Sequence, residues 1–62
     1  MNIHAIHISL LKVGDSVLNI GRVSIIDEYK NGYRIKFENS VIDGDETVLF
    51  FRRNVLIRIV KL

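Results

Sequence analysis

The chain has 62 residues, 48% of them apolar, with nine basic groups against seven acidic ones and neither cysteine nor proline. That length allows one domain, residues 1–62, and excludes disulfide stapling; two histidines beside the carboxylates are too few for a structural zinc site. A net charge of +2 excludes the long phosphate-neutralising track of a dedicated duplex-DNA binder.

A core of this size supplies about 3–5 kcal/mol, so small domains lean on cross-links, metals or self-association. Only self-association is left. The longest apolar run is a few residues, too short to span a bilayer, and Met1-Asn2-Ile3-His4 lacks the basic start of a signal peptide. These features point to a soluble cytoplasmic protein that does not engage membranes.

Ten isoleucines and seven valines favour strands. The first is expected over residues 3–11, where periodicity alone also fits a helix and the β-branched content favours a strand, and Val13-Gly14-Asp15-Ser16 reads as the turn after it. A second run over 17–26 changes alternation phase at Gly21, which suggests a bulge or sharp bend. Asn31-Gly32, between Tyr29-Lys30 and Tyr33, signals a hairpin of the type whose central residues both take positive φ.

Tyr33, Ile35 and Phe37 then alternate with Arg34, Lys36 and Glu38, aromatic and aliphatic inward, charge outward. Asn39-Ser40 and Asp43-Gly44-Asp45-Glu46 offer turns, residues 47–52 another strand, and Arg53-Asn54 a tight connection to a closing strand over 55–61. The expectation is an all-β fold, a small barrel of five or six short antiparallel strands.

Two segments put aliphatic side chains on both sides of an extended chain: residues 6–11 and residues 55–62. Strands apolar on both faces normally lie inside larger proteins. A chain this short cannot cover both faces itself, so a homo-dimer or tetramer is expected.

Val13-Gly14-Asp15-Ser16-Val17, then Gly21-Arg22-Val23, then Asn31-Gly32-Tyr33-Arg34-Ile35-Lys36-Phe37 resemble the opening of SH3-like barrels of the KOW and Tudor kind. The resemblance covers roughly residues 13–38 and implies binding of RNA, DNA, peptides or small molecules.

Arg52-Arg53, followed by Asn54, is the densest basic point. The planar guanidinium fork fits phosphate oxygens, and symmetry would multiply a few such groups into an anion site. Taken singly, either arginine reads as a solvated strand end that guards an edge. Tyr29 and Tyr33 bracket the Asn-Gly turn, where a ring can stack on a nucleobase while Lys30 and Arg34 hold its phosphate. Hairpin stabilisation by cross-strand aromatics is the plainer account of those rings.

Arg58, between two isoleucines, would either pair with a carboxylate such as Asp43 or Glu46, the favoured reading, or line a polar pocket at a subunit junction. His4 and His7 face opposite sides of a strand and make no metal site. The acidic run at 43–46 lacks the ligand order of a calcium loop. No nucleophile motif surrounds any serine, and no cofactor is implied.

The expected function is therefore non-enzymatic: sequestration of a nucleotide or cyclic dinucleotide where subunits meet. The ligand-binding candidates are Arg52, Arg53, Arg34, Tyr33, Tyr29, Lys30 and Asn54. In kind this is similar to the nucleotide-sequestering proteins of phages. A protein-binding adaptor or inhibitor working through exposed apolar strands, and a KOW-like module binding RNA or DNA, are the alternatives.

Overall fold

The computed structural model describes residues 2–40 and 44–61. It contains six antiparallel strands: β1 (Asn2–His7), β2 (Ser16–Val17), β3 (Gly21–Tyr29), β4 (Gly32–Ser40), β5 (Gly44–Arg52) and β6 (Leu56–Lys61). They form one sheet in the order β1-β6-β2-β3-β4-β5, open between its edge strands β1 and β5. No helix among the described residues is long and apolar enough to cross a membrane.

The first strand ends sooner than its composition predicts. Residues 8–10 wind into a 3₁₀ turn, capped by His7, whose Nδ1 accepts the Ser9 N–H at 3.2 Å and lies 2.7 Å from Ser9 Oγ. An extended chain would alternate Ile8 and Leu11 to opposite faces. The turn instead buries both, leaves Leu10 at 63% exposure, and ties Ile8 N–H to the Val55 carbonyl.

The expected turn forms at Val13-Gly14 and is shorter than expected, since Ser16 already belongs to β2. Gly14 sits at φ 98°, the Asp15 carboxylate accepts the Lys12 N–H, and both Gly14 and Asp15 bond to the backbone of Val23.

The phase change near Gly21 is a chain reversal and not a bulge. Residues 18–20 form a turn, with Asn19 at φ 62° and the Ile20 N–H donated to the Val17 carbonyl. In the sequence a reversal and a bulge leave the same mark. The bulge lies further on, between Val23 and Ile25, where Ser24 Oγ donates to the Lys36 carbonyl. β2 is left with two residues, paired to β6 on one side and to β3 on the other.

β4 alternates as its pattern dictates: Tyr33, Ile35 and Phe37 are buried, and Arg34 points out. Asn39 takes φ 53° within the end of β4, so the chain does not turn there. Residues 44–46 open β5, and Asp43 lies outside the described residues.

The core gathers Ile8, Leu11, Val17, Val23, Ile35, Phe37, Ile57 and Ile59, with the Phe37 and Phe51 rings edge-to-face at 6.4 Å. In β6 only one face is buried, since Leu56 is 70% exposed. Arg58 is on that outward face, so no buried charge needs compensation, and Glu46 pairs with Lys36 instead.

Candidate functional site

The β3–β4 hairpin closes with Tyr29 opposite Gly32, leaving Lys30 and Asn31 as the two connecting residues. None of Lys30, Asn31 and Gly32 has positive φ, so the expected turn type does not form. Gly32 is required for a different reason. A Cβ there would overlap the carbonyl oxygen of Phe51 on the adjacent strand.

Rows of side chains cross the outer face of β3, β4 and β5. Ile25, Lys36 and Val48 form one row; Asp27, Arg34 and Phe50 the next; Tyr29, Gly32 and Arg52 the last. Because glycine contributes no side chain, the last row has a gap between Tyr29 and Arg52. A pocket of about 340 Å³ opens at this end of the sheet, lined by Tyr29, Asn31, Gly32, Tyr33, Phe50 and Phe51. That volume is at the small end of ligand sites, and its aromatic lining is typical of them.

All seven candidate residues belong to this end of the molecule, in different conditions. Arg53 is committed: its Nε donates to the Lys30 carbonyl at 2.7 Å and its Nη2 to the Tyr29 carbonyl at 2.8 Å. Its Nη1 meets the Glu28 carboxylate at 2.8 Å, and the guanidinium lies 5.8 Å from the Tyr33 ring centre. One planar fork thus holds the hairpin tip from the far end of β5, a task a point-charge ammonium could not perform.

Arg34 makes a long ion pair with Asp27 at 3.6 Å, both ends nearly half exposed. Arg52, Lys30 and Asn54 are exposed. Tyr29 is 49% exposed, whereas Tyr33 is buried under Arg53. The tyrosines are not cross-strand partners, since Tyr33 faces Glu28 and Tyr29 faces Gly32.

Phe50, 75% exposed, was not among the residues singled out from sequence, and it is the most open aromatic here. The adjacent pair Phe50-Phe51 carried the signal. Neighbours on a strand point to opposite faces, so one of the two had to lie outward.

Among the described residues no group of three His, Cys, Asp or Glu side chains comes together. No family model, curated protein or solved structure matches the chain.

Proposed function

We propose that the chain is a non-enzymatic, cytoplasmic binding protein that self-associates and holds a small phosphate-bearing aromatic ligand, a nucleotide or cyclic dinucleotide, at the hairpin-tip pocket. The observation that carries this reading is the pocket itself, lined by Tyr29 and Phe50 on the outer face, with Arg52 outside the lining in the row of Tyr29. A base stacks on an aromatic face, and exposed cations beside it receive the phosphate. Arg52, Lys30 and Arg34 supply those cations; Arg53 contributes by holding the turn.

The strand order and the sharp β2–β3 reversal are compatible with an SH3-like barrel left open between β1 and β5. Among the described residues, four basic side chains are already ion-paired, which favours a compact anion over a nucleic-acid track. A second reading, a protein-binding adaptor, draws support from the exposure of Ile3, Leu10 and Leu56.

Calorimetric titration with mononucleotides and cyclic dinucleotides tests the pocket. Binding of at least one is expected, weakened about tenfold or more by either Phe50→Ala or Arg52→Ala. Absence of binding across the panel, or affinity indifferent to both changes, rejects the reading.

A further inference from the structure

The sheet has two edges, and one of them is complementary to itself. β5 hydrogen-bonds only to β4, and their register runs without a shift from Gly32 opposite Arg52 to Glu38 opposite Glu46. Proteins usually blunt an edge with proline, a bulge or a lysine. The β5 sequence contains no proline or lysine, and none of the three devices is found between Glu46 and Arg52. Its outward side chains there are Glu46, Val48, Phe50 and Arg52, in order acid, aliphatic, aromatic, base, and all four are exposed.

We propose that β5 pairs antiparallel with β5 of a second copy, about a two-fold axis through Leu49, so that two sheets become one. This rests on the reading of the chain as self-associating and specifies how it does so. The pleat allows only residues of the same face to oppose each other, so the axis must fall on a residue. With the axis on Leu49, Glu46 of each copy faces Arg52 of the other, and Val48 of each faces Phe50 of the other.

Every neighbouring register is worse. An axis on Val48 sets Glu46 against Phe50, an axis on Phe50 sets Val48 against Arg52, and an axis on Thr47 sets Glu46 against Val48. At Leu49 the two Phe50 side chains are also diagonal neighbours, roughly 7–8 Å apart and within reach of each other. The outer face of the joint is then an apolar cluster closed at both ends by opposite charges.

The β1 edge cannot do the same, because residues 2–7 include no carboxylate. Pairing β1 of one copy with β5 of another would leave an edge free at each end and continue into a filament. Arg52 has five N–H donors, so it can hold Glu46 of the second copy and keep donors free for a phosphate.

Sedimentation velocity of the purified chain without nucleotide, over a concentration series, tests the pairing. A closed dimer is expected. Arg52→Glu and Glu46→Arg should each loosen it about tenfold or more, and the double exchange should restore it, with circular dichroism confirming the fold in each case. Val48→Lys, which faces Phe50, is an independent second disruption.

A dimer unmoved by all of these changes overturns the β5 pairing while keeping self-association. A monomer at every concentration overturns both. Open-ended polymers in place of a dimer overturn it in favour of β1 on β5. Loss of nucleotide binding is read separately and does not bear on the joint.

Discussion

The two halves of the sheet are built by different means. β3, β4 and β5 are nine residues each, joined in sequence order, and their outer face is laced by three ion pairs: Arg22–Glu38, Arg34–Asp27 and Lys36–Glu46. β1, β6 and β2 are six, six and two residues long, and β1 pairs with a strand from the other end of the chain. No ion pair among the described residues joins that half, and Ile3, Leu10 and Leu56 are exposed on it. A meander of local hairpins can form before the rest of the chain arrives. A pairing of distant segments must first pay the entropy of closing a long loop.

The largest expected effect tests whether the halves nevertheless share one fate. Phe37 is fully buried beneath the meander. Phe37→Ala should cost about 3–5 kcal/mol, enough to unfold a domain of this size, as circular dichroism under urea would register. Ile59→Ala, in β6, removes a 3%-exposed side chain from the same core and should cost about 2–5 kcal/mol. If the two losses leave two separable transitions, the halves are not one cooperative unit.

Gly32→Ala should destabilise by about 1–3 kcal/mol through its clash with the Phe51 carbonyl, a loss confined to the meander. Arg53→Ala should cost about 1–2 kcal/mol by denaturant melting, discounted because the side chain is 41% exposed, and Arg53→Lys should recover little of it. The smallest effect belongs to the surface lacing. Arg22→Ala should change stability by no more than about 0.5 kcal/mol, despite a 2.7 Å contact with Glu38. Amide exchange gives the comparison residue by residue: β1, exposed along most of its length, should open at lower free energy than β4.

The meander was also the half that could be read from sequence. Tyr33, Ile35 and Phe37 alternate with charged neighbours because one side of that strand is wet, and period two is then visible. The other half was harder. A short apolar run such as residues 6–11 fits a strand or a helix by periodicity, and the structure divides it, strand to His7 and then a 3₁₀ turn that buries both Ile8 and Leu11. The phase change at Gly21 left a bulge and a sharp bend open, and the turn over residues 18–20 decides for the bend.

At the candidate site, residues chosen from sequence lie near one end of the fold, but their separate conditions there were not legible. The anchoring of Arg53 depends on carbonyls 23 and 24 residues earlier, brought near only when both hairpins form. Phe50 was hidden by its neighbour, as the facing of a consecutive aromatic pair depends on register.

β2 gives the molecule a waist. Two residues, Ser16 and Val17, carry the ladder from β6 to β3, helped by the Leu18 bond to Arg58 and by the bonds of Gly14 and Asp15 to Val23. A bending load on the sheet would concentrate at this isthmus, because the ladders of seven and eight pairs on one side and of six on the other hold more hydrogen bonds. The hydrogen-bonded link between the halves is therefore narrow, and the core that Ile57 and Ile59 share with Val23, Ile35 and Phe37 carries the rest of their union.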